Sequence, residues 1–400
     1  MAKVRMGMAG GGEGAFIGGV HRMAAALDGE IELVCGAFSS DPERSRRSGA
    51  ALHLPASRVY SDYRTMISTE AGLPEQQRMQ FVAIVTPNHM HFPVAEAALR
   101  AGFHVMSDKP ATFNLDQALK LRELVKDTNL LYGLTHTYTG YPLVKEARGR
   151  VARGDLGAVR KIVVEYPQGW LADRQEDEDN KQAAWRLDPK QAGVSSCMGD
   201  IGVHAANLAE YVSGLKITEL CSDLTTFVAG RELDDDGAIL LRFENGARGV
   251  LHSSQVSVGE ENAISIRVYG EKGGLEWHQQ EPNTLWLKWP DRPTEMLRTG
   301  GAYLGDISAA NTRTPMGHPE GYLEAFANLY MAFAGQIRAR EAGEDPDQRS
   351  LDCPGIEEAV RGMTFIELAV AASGSDVKWH SFQQHETKTV GFKRKAPCQR

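Results

Sequence analysis

The stretch Val4-Arg5-Met6-Gly7-Met8-Ala9-Gly10-Gly11-Gly12-Glu13-Gly14-Ala15, running into Phe16, Ile17, Val20, Met23, Ala24 and Leu27, decides the fold. Its first part is an apolar run of strand length, and the later residues recur at helical spacing, so the segment reads as strand, tight turn, helix. Gly10, Gly12 and Ala15 fit a GxGxxA pattern, with Gly14 inside it. Glycines in such a turn let backbone N–H groups approach a pyrophosphate at the positive end of the helix. Without its flanks the pattern would be a plain glycine-rich turn; the strand before it and the helix after it carry the cofactor reading. Gly10, Gly12, Gly14, Ala15, Phe16 and Ile17 are therefore expected beside a dinucleotide. A second cluster, Ile17-Gly18-Gly19-Val20-His21, looks like a copy of the signature displaced by three residues and predicts a loop longer than the standard one.

Outward from this segment the alternation continues. Strands are expected at residues 31–38, 81–85, 104–106 and 130–135, and helices after Asp41-Pro42, at 93–101 and at 115–126. Such a β-α alternation predicts an α/β Rossmann domain, a doubly wound parallel sheet, over residues 1–136, with ligands at the carboxyl ends of the strands. Beyond it, alternating runs at 160–166, 238–243, 247–253 and 263–269 predict an α+β domain over 137–385 with a large, mostly antiparallel open sheet. Helices are expected there at 200–211, 322–339 and 355–372. The charged, aperiodic segment 171–181 is expected to be an exposed loop able to close over a site. Residues 386–400 are expected to form a loose basic tail.

The chain has 400 residues, too many for one ordinary core. Its net charge of −8 gives no general attraction to nucleic acid or to an anionic membrane, so a small molecule is the expected partner. Five widely spaced cysteines with no CxxC pair indicate neither a disulfide framework nor a metal site. The glycine-rich start does not resemble a signal peptide and no apolar run has transmembrane length, which together predict a cytoplasmic protein. At the end of the second strand the cofactor signals conflict. Ser39, Ser40 and Arg44 suit the extra phosphate of NADP, whereas Asp41 is either an acidic ribose partner or a helix cap.

Two other stretches bear on chemistry. The first is Val85-Thr86-Pro87-Asn88-His89-Met90-His91 followed by Ala101-Gly102-Phe103-His104-Val105-Met106-Ser107-Asp108-Lys109-Pro110; the second is Gly199-Asp200-Ile201-Gly202-Val203-His204. With the glycine turn they closely resemble the Gfo/Idh/MocA oxidoreductases, whose members share a TPNxxH turn, an AGxHVxxEKP segment and a late GxxDxGxH-type motif. Gly154-Asp155-Leu156-Gly157 echoes the family's turn before the first strand of the second domain. Asp108 departs from the pattern, standing where the family commonly has glutamate. The strings GGGEGAFIGGVHR at 10–22 and GAFSSDPER at 36–44 are similar to the branch containing levoglucosan dehydrogenase and related glycoside 3-dehydrogenases; that branch tends to use NAD, and inositol dehydrogenases are the near alternative.

The resemblance implies hydride exchange between a bound NAD or NADP and a secondary ring hydroxyl of a sugar, glycoside or cyclitol. It also implies a homodimer or homotetramer built through the second sheet. Lys109, Asp200 and His204 match the family's catalytic positions, and Thr86, Pro87, Asn88, His91 and Asp108 lie where the cofactor is expected. Residue chemistry agrees: histidine has the intrinsic pKa of a general base, a carboxylate at i and i+4 on a helix shares its face, and a lysine can polarise the reacting oxygen. His204 is therefore expected to act as base with Lys109 and Asp200 assisting, although Lys109 could exchange roles with it. His136, Tyr138, Gln168, Trp170, Trp185 and Arg186 supply the mix of aromatic faces and hydrogen-bonding groups that a sugar site needs. Two alternatives keep the fold: an NAD-dependent glycoside hydrolase acting by transient oxidation and elimination, and a non-catalytic sugar sensor.

Overall fold

The structure, a computed structural model, describes residues 2–177 and 180–382. The first sheet is formed by β1 (Val4–Gly10), β2 (Ile31–Ala37), β3 (Phe81–Val85), β4 (His104–Ser107) and β5 (Tyr132–Leu134) in the order β2-β1-β3-β4-β5, all parallel. Between them run α1 (Phe16–Leu27), α2 (Pro42–Ala51), α3 (Tyr63–Ala71), α4 (His91–Arg100) and α5 (Leu115–Thr128). β3, β4 and β5 are buried on both faces, which is why they read as continuous apolar runs. Their register aligns Met8 with Ala83, Ala83 with Met106 and Met106 with Gly133. The glycine turn, the Thr86-Pro87-Asn88 turn, the Asp108-Lys109-Pro110 segment and Thr135-His136 therefore all leave the sheet along one carboxyl edge.

After α6 (Pro142–Ala152) come β6 (Val159–Pro167), two short helices α7 (Lys181–Arg186) and α8 (Pro189–Ala192), and α9 (Val203–Ser213). Then follow β7 (Ile217–Thr225), β8 (Asp236–Phe243), β9 (Arg248–Ser254), β10 (Ser265–Gly270), β11 (Gly274–His278), β12 (Thr284–Lys288) and β13 (Glu295–Arg298). The chain ends its described course with α10 (Asp306–Ala310), α11 (Tyr322–Ala342), α12 (Ile356–Ser373) and β14 (His380–Ser381). The second sheet has nine strands ordered β13-β12-β11-β10-β6-β9-β8-β7-β14, antiparallel except between β6 and β9. One face packs a core of Ile162, Val164, Ile239, Leu241, Leu251, Ile266 and Trp277 against α6, α9 and α12. Leu240, Trp286 and Met296 alternate to the other face and are exposed.

One segment differs from expectation, and one expected helix packs far from its neighbours in the chain. The segment 171–181 is not a free exposed loop over its described part: Leu171 is fully buried, and Arg231 binds the carbonyl oxygens of Leu171 and Asp173 and the carboxylate of Glu176. A buried arginine with several donors holds that turn down. Helix α11, although it lies far along the chain, packs against α1 and covers the first sheet with Phe326, Tyr330, Phe333 and Ile337. The expected tail at 386–400 lies outside the described residues.

Candidate active site

The glycine turn adopts a register different from the one its pattern suggests. A side chain on Gly18 would bring its Cβ 2.3 Å from the Cα of Gly11, so Gly18 is the position that lets helix and strand approach. Ala15 instead caps α1 without a side-chain hydrogen bond, and the first turn holds no acidic residue. The extra three residues lengthen the loop between Gly10 and the packing glycine, which is what the second cluster foreshadowed. Gly14 has φ +79°, and nothing lies within 4 Å of the point a Cβ would occupy there, so the loop crest leaves space beside the helix N-terminus. Arg22 donates to Gly11 O at 2.6 Å and fixes the turn from behind. Open space, the N–H groups that a helix leaves unpaired in its first turn and the positive helix end fit a dinucleotide pyrophosphate. Phe16 is exposed at the start of α1, while Ile17 packs in part on the core. At the end of β2, Asp41 caps α2 through Glu43 N and Arg44 N, and its own N–H donates to Ser39 Oγ. Ser40 is exposed and Arg44 half-buried.

Along the same edge, the TPN turn and the lysine segment are tied together. His91 was expected to face the cofactor, but its ring is buried between two carbonyl oxygens, Pro110 O at 2.7 Å from Nδ1 and Thr86 O at 2.8 Å from Nε2. A neutral ring donates to only one of them at a time, and burial draws its pKa downward. Its work is to hold the Thr86 turn against Pro110. Asn88 is also turned inward, donating to Ala192 O at 3.0 Å and so linking the turn to α8. Pro87 precedes it as the cap of that short turn. Asp108 Oδ1 accepts from Lys109 N at 2.8 Å and from Thr135 Oγ1 at 2.9 Å, so the shorter carboxylate still braces the lysine from the end of β5. The Lys109-Pro110 peptide is cis.

Lys109 Nζ crosses to the second domain, donating to Asp200 Oδ1 at 2.8 Å and to Asp200 O at 2.5 Å. Asp200 does not start an α-helix as expected. It lies in a π-helical turn, Met198–Gly202, that leads into α9. The buried Asp234 carboxylate builds that turn by accepting from Met198 N, Ser196 N and Ser195 Oγ. Asp200 Oδ2 accepts from Arg186 Nε at 3.1 Å and from Gln255 Nε2 at 3.0 Å. Burial alone would raise the Asp200 carboxyl, but Lys109 and Arg186 outweigh it and hold it well below the usual carboxylate range.

His204, four residues on, was expected to have Asp200 as its orienting carboxylate. The two cations draw that carboxylate away, and His204 meets another imidazole instead: its Nδ1 lies 3.3 Å from Nδ1 of His136. Burial first, then Lys109 and His136, push the pKa of His204 well down. The value of a free histidine therefore does not describe it. Its ring stands edge-on to Tyr138 at 5.0 Å between centroids.

Tyr138 hydrogen-bonds to Tyr166, which donates to Asn262 Oδ1 at 2.7 Å. Gln168 donates to the same oxygen at 2.7 Å and accepts from Trp170 Nε1 at 3.0 Å. The Arg186 guanidinium lies over the Trp185 ring at 4.3 Å and stands farther from that of Trp170, at 5.9 Å. All the expected substrate-side residues thus fall in two connected groups around Asp200 and His204. Sequence reasoning missed Tyr166, Gln255, Asn262 and Asp234, which come from β6, the segments flanking β9 and β10, and the loop before β8. No local motif marks them; only strand pairing across the sheet brings them to one place.

Residues 4–136 match a family model described as an oxidoreductase family with an NAD-binding Rossmann fold, and residues 144–276 match the Gfo/Idh/MocA C-terminal domain. An uncharacterized oxidoreductase of Bacillus subtilis, YfiI, is 32% identical to this chain, covering 95% of it and 97% of the relative. An inositol dehydrogenase homolog from Azotobacter vinelandii, solved with NAD+, is similar at 36% identity and TM-score 0.90, over 95% of this chain and 97% of that one. A second structure of that homolog contains NADH and myo-inositol. Levoglucosan dehydrogenase of Pseudarthrobacter phenanthrenivorans is 25% identical over 71% of this chain and 76% of its own.

Proposed function

The chain belongs to the Gfo/Idh/MocA oxidoreductases, and from that membership we propose that it oxidises a secondary ring hydroxyl of a sugar, glycoside or cyclitol to a ketone. The observation that carries the reading is the Lys109–Asp200 ion pair, which joins the two domains at the carboxyl edge of the parallel sheet beside His204. When bound, the nicotinamide supplies the acceptor for the hydride of the carbinol carbon. Gly10, Gly12, Gly14, Ala15 and Phe16 would hold the dinucleotide, with Thr86 and Pro87 toward its ribose. NAD is favoured because a similar homolog was solved with NAD+ and with NADH, while after β2 Arg46 and Arg47 are paired with Glu43 and Glu13 and Ser39 Oγ accepts from Asp41 N.

In this reading Lys109 directs a proton of its ammonium at the reacting oxygen and stabilises negative charge as it develops. Asp200 keeps that ammonium aimed, and Arg186 with Gln255 keeps Asp200 aimed. His204 receives the carbinol proton at Nε2, the nitrogen that makes no hydrogen bond among the described residues. Gln168, Trp170, Trp185 and Asn262 surround the ring. A levoglucosan dehydrogenase and an inositol dehydrogenase homolog solved with myo-inositol, both similar to this chain, support a sugar or cyclitol as substrate.

Lys109→Ala and His204→Ala are each expected to lower turnover by about 10²–10⁴-fold while NAD binding, followed by fluorescence, persists. Native turnover in both variants overturns the assignment. A spectrophotometric screen of NAD and NADP against levoglucosan, glucosides and inositols identifies the substrate, and aglycone release without net NADH would transfer the reading to the elimination-type hydrolases.

A further inference from the structure

A buried base that keeps a proton needs something to stabilise its charge, and His204 has no carboxylate against it. Its one hydrogen bond among the described residues is with His136, 3.3 Å between the two Nδ1 atoms, the rings nearly perpendicular at 83°. At that distance one Nδ1 carries the hydrogen and the other offers its lone pair. Neither Nε2 is among the enclosed polar atoms that lack a partner, so each outer edge retains access to space. The pair therefore forms a continuous path, Nε2 to Nδ1 of His204, then Nδ1 to Nε2 of His136.

The groups facing the path disfavour a stored positive charge. Lys109 faces both rings, Asp108 partly offsets it at His136, and His204 otherwise meets the neutral rings of Tyr138, edge-on, and Tyr166, tilted. Burial, reinforced by Lys109, lowers His136 to about 3, and His204 is lowered as well. An imidazolium on either ring is unstable at neutral pH, whereas passage of a proton through both rings leaves each neutral.

We propose that His136 is a second proton carrier acting through His204. The carbinol O–H proton passes to His204 Nε2, the Nδ1 hydrogen of His204 passes to His136 Nδ1, and the Nε2 hydrogen of His136 leaves to water. Three bonds to hydrogen break and three form. The O–H electron pair stays on the substrate oxygen for the carbonyl bond, and both rings end neutral with their tautomers exchanged. The inference rests on His204 as proton acceptor.

Nitrogen-15 NMR of the histidine-labelled protein at pH 7 tests it before any turnover. His204 is expected as the neutral Nδ1–H tautomer and His136 as the neutral Nε2–H tautomer; the opposite tautomers, or an imidazolium on either ring, overturn the relay. Turnover in H2O–D2O mixtures is the second test. The native enzyme is expected to give a curved proton inventory, and His136→Gln, which keeps an acceptor for His204 but cannot pass a proton on, a linear one with turnover about 10²-fold lower. A linear native inventory, or native turnover in His136→Gln, refutes the relay while leaving His204 as base. Native turnover in His204→Ala instead removes the reading beneath it.

Discussion

Asp200 has three side-chain donors on its two carboxylate oxygens and little contact with water. Its charge is kept because Lys109 and Arg186 outweigh the cost of burial. In the unfolded chain the same carboxyl titrates near about 3.9. A carboxyl whose folded pKa is depressed adds stability that is complete above the unfolded value and disappears as pH falls through the folded one. Asp200→Asn is therefore expected to lower the melting temperature by a nearly constant amount from pH 7 to about 5, a loss of order 2 kcal/mol. The gap from the native protein should begin to narrow below about pH 4 and close only as pH falls through the depressed folded pKa. Melting curves across pH check this, and a gap that widens on acidification counts against it. The identities of Lys109, Asp200 and His204 were legible from motifs. Their partners were not, because a carboxylate chooses among charges that only the fold brings near.

At the level of elements, the first turn of α1 shows how much of a motif spacing alone conveys. A strand, a glycine-rich turn and a helix were readable from residues 4–27, yet the packing glycine is Gly18 and not the Ala15 position. An added Cβ at Gly18 meets backbone, which cannot yield as a flexible side chain would. Gly18→Ala is expected to destabilise the protein by about 1–3 kcal/mol and to weaken NAD binding. Gly19→Ala, in the same helix with nothing within 4 Å of its Cβ, is expected to stabilise it instead, by about 0.5–1 kcal/mol. Urea midpoints of the two variants test the register, and equal shifts would refute it. The π turn under Asp200 was not legible at all. Its cause is Asp234, which reaches it from the loop before β8 and satisfies N–H groups that a plain α-helical start would orient otherwise.

In the whole molecule, α11 completes a core whose strands lie at the other end of the chain. Phe326, Tyr330 and Phe333 cover Phe81 and the face of the first sheet, and His21 in α1 is bonded to Tyr330 OH at 2.7 Å. Residues 1–136 made without the remainder are expected to expose that apolar face and to fail as a stable monomer. Adding 322–342 as a separate peptide should restore part of the lost structure. Circular dichroism and amide dispersion decide the matter; a well-dispersed spectrum of the fragment alone would overturn it. Another long contact of this kind is made by α12, which packs on both α5 and β7 and so couples the two sheets.

The sequence by itself determined what depends on near neighbours. Periodicity of 3.6 or 2 sets the local element, glycine permits a tight turn, and the TPN, KP and Asp-His motifs single out the candidate site groups. It thereby reached the parallel sheet, the mostly antiparallel second sheet, and the edge on which Lys109 stands. The tertiary structure alone decided which charge each group faces. Asp200 went to Lys109 and Arg186, His91 to two carbonyl oxygens, and His204 to His136. Those choices are electrostatic comparisons among groups far apart in the chain, and their outcome depends on burial and distance, which no local pattern records.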